Sequence, residues 1–202
     1  MGCSGSNLKT KEKAEEAAAK AQDMGCGSSK AVVAEEPALN ITDEIKASVR
    51  ESWALFLQAN EDSQQNYGMF IFVKLFAVAP EAYSLFEFVE GLSHEDLVDN
   101  EKLGWHVKKV TEAISAVVIN LDDMDSVVKM LVDLGGRHSA YGIKEEYFVA
   151  IKEAVVYALE KALKDKFTEE HRKSWTIVME VVVHLMIQGL LSNSMEEQST
   201  VI

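Results

Sequence analysis

Residues 101–143 read EKLGWHVKKVTEAISAVVINLDDMDSVVKMLVDLGGRHSAYGI and contain two apolar stripes of helical spacing. The first recurs at i, i+4, i+7 and i+11 and consists of His106, Val110, Ala113 and Val117. The second has the same spacing and consists of Val127, Leu131, Leu134 and His138. Position 122, midway between the two histidines, falls in the polar pair Asp122–Asp123, which indicates a turn. The stretch therefore predicts two helices that fold back on each other.

The hairpin would bring the imidazoles of His106 and His138 to the same level on facing surfaces. An imidazole on an apolar helix face must find a partner or lose its solvation. Each residue could be an ordinary core histidine with its own hydrogen bond, or the two could share a metal. Zinc prefers about four ligands, and no third donor lies nearby in the sequence. A haem brings its own four nitrogens and needs only one or two axial ligands, so haem fits the ligand count.

The remainder of the chain from Ile41 also has helical periodicity, and no run of alternation is long enough to indicate a sheet. Thr42 or Asp43 can cap a first helix that runs to about residue 59. Its apolar face consists of Ile45, Val49, Trp53 and Phe56. Further helices are predicted at about 63–78, from Pro80, and at about 101–121, 125–139, 144–164 and 168–192, with 86–100 as a loop containing one helical turn. The predicted fold class is all-α.

The composition excludes several classes of protein. The chain has 202 residues and a formal charge of -13, which disfavours nucleic acid as a partner. Both cysteines, Cys3 and Cys26, precede the helical body, so a secreted disulfide scaffold is excluded. The most apolar stretch, 176–191, has Glu180, His184 and Gln188 on one face, which is typical of a core helix and not of a membrane span.

The composition also divides the chain. Residues 1–40 contain no aromatic side chain and no apolar stripe, so we expect a flexible N-terminal tail. Residues 41–192 form the predicted helical domain, and residues 193–202 are expected to be a flexible C-terminal tail.

The body resembles the vertebrate-type globins, in particular those of the neuroglobin and globin X type. Trp53 matches the tryptophan of the family's first helix, and LFAVAPEAYSLFEF (75–88) contains the proline of its third helix. LGWHVKKV (103–110) places His106 at the distal position, and LGGRHSAYGI (134–143) places His138 at the proximal position. The resemblance implies further pocket residues, namely Phe72 over the distal side, Phe86 against the haem, Lys109 and Val110 after His106, and Gly142 and Ile143 after His138.

This resemblance implies a globin fold of about seven to eight helices around a pocket for haem b. In the globins it is most similar to, the distal histidine binds iron directly, which implies His138 and His106 as axial ligands. Alternatively, His106 stays unbound and donates a hydrogen bond to dioxygen. The implied ligands are O2, NO and CO, with one-electron redox chemistry that includes nitrite reduction to NO, proton delivery by His106 and an electron-donating reductase as partner. The family's cysteine pair after Phe86 is missing, so that redox switch is not expected.

Both chain ends carry short motifs. Residues 1–6, MGCSGS, fit the pattern for myristoylation of Gly2, and the adjacent Cys3 could accept a palmitoyl chain. We therefore expect a lipid-anchored protein at the inner leaflet of the plasma membrane, on its cytoplasmic side. The chain ends Thr200-Val201-Ile202, which could add as a strand to a PDZ-type groove. The alternative function is thus a cofactor-free, lipid-anchored helical adaptor with a PDZ-domain partner.

Overall fold

A computed structural model describes residues 41–62, 66–89, 91–92, 94–97 and 99–199. These residues form helices connected by turns and contain no strand. The α-helices are α1 (Asp43–Asp62), α2 (Met69–Val78), α3 (His94–Leu97), α4 (Glu101–Ile119), α5 (Met124–His138), α6 (Glu145–Leu163) and α7 (Glu169–Ser199). Short 3₁₀ helices lie at Pro80–Leu85, Glu87–Val89, Ser139–Tyr141 and Lys164–Lys166. The all-α prediction is confirmed.

The hairpin of α4 and α5 forms where the two stripes place it. The Oδ1 atom of Asn100 accepts the backbone N–H of Leu103 at 3.0 Å and begins α4. The Oδ1 atom of Asp123 accepts the backbone N–H of Ser126 at 3.1 Å and begins α5. The neighbouring Asp122 pairs with Lys46 and Arg50 of α1, at 3.0 and 2.8 Å. This turn is therefore fixed both within the hairpin and against the first helix.

Helix α7 packs against α1, α5 and α6 and contributes buried side chains to the core. Residues Glu169–Asn193 are long and apolar enough to cross a membrane, but half of the most apolar window is buried inside the fold. The buried indole of Trp175 lies 5.5 Å from that of Trp53, and its Nε1–H donates to Ser52 Oγ at 2.8 Å. Glu180 and Gln188 of the polar stripe are exposed. Helix α7 is therefore a core helix with one face exposed to solvent.

The structure differs from the predicted elements at two places. Residues 66–68 form a turn and not the start of a helix from 63, because Asn60 Oδ1 accepts the backbone N–H of Tyr67 at 2.9 Å and Asn66 Oδ1 accepts that of Gly68 at 3.1 Å. Residues 63–65 lie outside the described residues.

The second difference concerns the last helix, which the sequence predicted to end at about residue 192. Helix α7 continues to Ser199, and the Asn193 side chain bonds the backbone of α5 at Gly136. That contact is tertiary, so local sequence does not reveal it. Residues 200–202 and the predicted N-terminal tail, 1–40, lie outside the described residues.

Candidate functional site: a cavity between two histidines

His106 of α4 and His138 at the end of α5 line one cavity. The space between its lining atoms is about 1160 Å³, open mouth included. Apart from the two imidazoles, the cavity is lined almost entirely by aliphatic and aromatic side chains. They come from α2, α4, α5, α6 and α7, from residues 82–86 after α2, and from Ile143 before α6. Such a cavity excludes water from whatever it binds and leaves the imidazoles as its main polar groups.

His138 is held in one tautomer by its own helix. Its Nδ1 atom lies 2.7 Å from the carbonyl oxygen of Leu134, one turn earlier in α5. Because a carbonyl only accepts, Nδ1 carries the proton and donates it, and the lone pair of the neutral ring is on Nε2. The ring is also packed edge-on against Phe148 of α6, with centroids 5.5 Å apart. These contacts prepare Nε2 as a metal ligand, since ligating histidines commonly donate their other ring N–H to a carbonyl.

The imidazole of His106 packs against two phenylalanine rings that also contact each other, with their centroids 5.8 Å apart. The Phe72 and Phe86 centroids are 5.3 and 5.4 Å from that of the imidazole, and both rings meet it edge-on. Burial lowers the pKa of His106 below its ordinary value, and the nearby His138 lowers that pKa further. His106 is therefore neutral at physiological pH, the form in which an imidazole can bind a metal.

The other sequence-predicted pocket residues also come together here. Phe72, Phe86, Val110 and Ile143 all line the cavity, and Ile143 reaches it because Gly142 reverses the chain at φ 66°. A left-handed φ of this kind favours glycine. The two predicted lipidation residues, Gly2 and Cys3, lie outside the described part of the chain.

Lys109 lines the cavity mouth but is exposed to solvent. Its Nζ atom lies 2.9 Å from Glu112 Oε2 and 5.7 Å from the centroid of the Trp105 ring. The ammonium group thus has a carboxylate partner on its own helix. The structure places this residue at the rim, where a propionate of a bound haem would compete with Glu112 for it.

The donor set of the cavity fits a haem. Within the described ranges, no group of three or more His, Cys, Asp or Glu residues could hold a metal ion alone. The two imidazoles provide two donors in an apolar cavity, which is the number that a macrocycle with four nitrogens of its own requires. The apolar walls suit its faces, and the open mouth at Lys109 suits its charged edge.

Comparisons with known proteins decide the family. Residues 69–186 match the family model described as Globin. The chain belongs to the globin family. Membership implies a haem group and the binding of small gases such as O2, and the resemblance found in the sequence is confirmed.

Curated neuroglobins are similar to this globin over most of its length. Neuroglobin of Tetraodon nigroviridis is 30% identical over 154 residues, which cover 76% of this chain and 94% of that protein. Neuroglobins of Chaenocephalus aceratus and Danio rerio are each 29% identical, with the same shares of both chains covered. A crystal structure of a hexacoordinated heme protein from an anhydrobiotic tardigrade, at pH 4, has the same fold, with a TM-score of 0.70 at 23% identity. It covers 77% of this chain and 99% of its own.

Sequence reasoning missed the far wall of the globin's cavity. Phe148, which packs on His138, comes from α6, and α7 contributes a row of side chains at helical spacing: Trp175, Val178, Met179, Val182, Val183 and Met186. The apolar stripe of α7 was visible in the sequence. Nothing local shows, however, that this stripe meets the cavity and not only the surrounding core.

Two other histidines of the globin, His171 and His184, make hydrogen bonds outside the cavity. His171 is buried in the first turn of α7, where its Nδ1 accepts the backbone N–H of Thr168 at 3.2 Å and Thr168 Oγ1 accepts the backbone N–H of His171 at 3.2 Å. His184 lies on the outer side of α7, 3.0 Å from Gln188 Nε2. Neither lines the cavity, so His106 and His138 are its two histidines among those whose side chains the structure describes.

Proposed function

We propose that this protein is a haem globin in which His138 and His106 are both axial ligands of the iron. The observation that carries the proposal is the pair of imidazoles lining one apolar cavity, with Nδ1 of His138 bonded to Leu134 and the pKa of His106 lowered by burial. The group is haem b, held without covalent attachment, because the described residues contain no cysteine and both cysteines of the chain lie within its first 26 residues.

His106 then controls access to the sixth position. O2, NO or CO binds only in the fraction of molecules in which His106 has withdrawn, so the apparent affinity falls by that fraction. The edge-on packing of Phe72 and Phe86 restricts the alternative positions of the imidazole. The protein thereby limits gas binding through a residue of its own and is poorly suited to bulk oxygen storage.

The same arrangement supports one-electron chemistry. Two fixed imidazoles allow the ligand set to stay the same in both oxidation states, which favours electron exchange with a reductase. The haem supplies the redox-active iron. Reduction of nitrite to NO and water takes up one electron and two protons, and His106, once displaced, is placed at the cavity to donate a proton. Burial lowers the pKa of His106, so the resting ring is neutral, and it must first take up a proton from solvent before it can pass one to nitrite.

An absorption spectrum of the purified full-length protein tests the proposal. We expect a sharp Soret band and low-spin visible bands in both oxidation states without added ligand. A colourless protein that does not take up added haem would favour the cofactor-free adaptor instead. A high-spin haem would retain the globin and eliminate direct ligation by His106, leaving a hydrogen bond to dioxygen as its role.

We further propose that myristoyl and palmitoyl chains on Gly2 and Cys3 anchor the protein to the inner leaflet. One myristoyl chain gives only marginal binding, so a second chain is required. The formal charge of -13 opposes adsorption to an anionic leaflet, so electrostatics does not replace it. Cys3→Ser should shift the protein from the membrane to the soluble fraction of cells, and Gly2→Ala should do so as well. Cys26→Ser is the matched control and should leave the distribution unchanged.

A further inference from the structure

The last turns of α7 contact the end of the helix that carries His138. The Nδ2 group of Asn193 donates a hydrogen bond of 3.0 Å to the carbonyl oxygen of Gly136. The two residues are 57 positions apart in the chain, and Gly136 precedes His138 by two positions. Asn193 is thus a tertiary contact to the backbone beside the proximal histidine.

The carbonyl groups concerned belong to the end of α5. The final carbonyls of a helix have no partner within the helix and need other donors. Gly136 O receives the backbone N–H of Ser139, the Ser139 hydroxyl at 2.8 Å and the amide of Asn193, whereas Leu134 O receives Nδ1–H of His138. The hydrogen bond that orients the imidazole is therefore made to Leu134 O, and the hydrogen bonds that hold the backbone beside it are made to Gly136 O, two residues later.

The packing at this point is close. A Cβ atom on Gly136 would lie 3.0 Å from Asn193 Nδ2, so the amide rests directly on the glycine. At the adjacent crossing, a Cβ on Gly135 would lie 2.0 Å from the carbonyl oxygen of Met186, and one on Gly189 would lie 1.9 Å from that of Val132. The backbones of α5 and α7 are therefore in contact at this crossing. The side chain of Asn193 donates the hydrogen bond that fixes α7 to the end of α5 next to His138.

We propose that Asn193 is a positioning residue for His138: through its bond to Gly136 it sets the height and tilt at which the imidazole meets the haem. The inference rests on the proposed function, in which His138 is the proximal ligand. Loss of the Nδ2 donor frees the last turn of α5 at its attachment to α7. The iron–His138 bond then weakens, and haem escapes faster.

The test uses full-length, haem-loaded protein. Asn193→Asp keeps the size of the side chain and replaces the N–H donor by an acceptor that faces the Gly136 carbonyl, and Asn193→Ala removes both. Ser192→Ala is the matched control, because the Ser192 hydroxyl bonds only the carbonyl of Gln188 in its own helix. Three quantities are measured: the rate of haem transfer to an apoglobin acceptor, amide hydrogen exchange of residues 134–138, and the iron–histidine stretching band of the ferrous protein. The band is recorded in a His106→Ala background, where His138 is the one protein ligand expected.

We expect haem loss to accelerate about threefold to tenfold in both Asn193 variants, the range that one hydrogen bond accounts for. The stretching band should shift to lower frequency, and exchange should rise in 134–138, with Ser192→Ala unchanged in all three. If haem loss or stability changes while the stretching band and the exchange at 134–138 stay as in the parent, Asn193 is a structural residue only and the inference is wrong. Should Asn193→Asp not fold, Asn193→Ser carries the same expectations. Absence of haem in the parent protein would overturn the proposed function instead, and is read separately from its spectrum.

Discussion

Nδ1 of His138 lies 2.7 Å from the carbonyl oxygen of Leu134, and this bond decides which nitrogen of the ring can bind iron. The carbonyl oxygen of Leu134 accepts the hydrogen bond that Nδ1–H donates, so the lone pair of the ring is on Nε2. The partner is a main-chain atom, one turn earlier on the same helix. The tautomer is therefore fixed by helix geometry and does not depend on the identity of a second side chain.

Removal of this ligand should release the haem. In His138→Ala the anchoring lone pair is absent, and we expect haem affinity to fall by about tenfold or more. Haem content after purification and the rate of transfer to an apoglobin measure the effect. Imidazole added to His138→Gly should restore the low-spin spectrum, because the cavity then admits the missing ring. His184→Ala is the control, since His184 bonds Gln188 and does not line the cavity. Full haem retention in His138→Ala would contradict the assignment.

Removal of the distal imidazole should have a different result. His106→Ala is expected to keep its haem, because His138 is unchanged, and to become high-spin in the ferric and ferrous states. CO association on rapid mixing with the ferrous protein should accelerate about tenfold or more, since an open state populated at about 10% or less no longer limits binding. Lys109→Ala is the matched control at the same cavity and should stay low-spin, because the Lys109 ammonium group pairs with Glu112. A low-spin spectrum in His106→Ala would exclude His106 as the sixth ligand.

The sequence alone was sufficient to predict the helical hairpin and that His106 and His138 lie on its facing surfaces. The stripes of α4 and α5 have the same spacing, and position 122 lies midway between His106 and His138, so two local periodicities determine which residues face each other. The positions of Phe72 and Phe86 in the pocket were predicted from the resemblance to the globins. In the structure they pack on His106, a contact that periodicity does not reveal.

The features that escaped prediction depend on contacts between distant segments. Phe148 was not identified because its apolar stripe on α6 fits any core equally well. The end of α7 was placed too early because Asn193 carries no local signal for continuation, and its bond to Gly136 involves another helix. The turn at 66–68 depends on Asn60, seven residues before the backbone N–H that it accepts. For Phe148 and Asn193 the deciding partner lies on another helix, outside the window in which helical periodicity is measured. The Asn60 bond lies within that window, but it is made by a side chain to the backbone, which periodicity does not reveal.

The turn of the hairpin should contribute stability that depends on pH. Hydrogen bonds from Lys46 and Arg50 lower the pKa of the Asp122 carboxyl below its ordinary 3.8. A carboxyl whose pKa is lower in the folded state stabilises that state above its ordinary pKa, and this contribution disappears as the pH falls through the lowered value. Wild type should therefore be more stable than Asp122→Asn at neutral pH, with the difference vanishing in strong acid. Urea unfolding at several pH values measures it, and Asp133→Asn, whose ion pair with Arg137 lies within α5, controls for loss of a surface charge. A difference that persists unchanged in strong acid would contradict the prediction.

Two glycine substitutions should have opposite effects on stability. A Cβ at Gly135 would lie 2.0 Å from the Met186 carbonyl oxygen, so Gly135→Ala must force α5 away from α7 and should destabilise the fold by about 2 kcal/mol or more. Because α5 carries His138, the haem-loss rate of this variant should also rise. At Gly104 of α4 the added Cβ would meet no atom of another element within 4 Å. Gly104→Ala should therefore stabilise the protein by about 0.5–1 kcal/mol, because alanine has a higher helix propensity than glycine. Urea unfolding of both haem-loaded variants provides the comparison. If the two substitutions changed the free energy of unfolding equally, the close backbone crossing of α5 and α7 would not exist in solution.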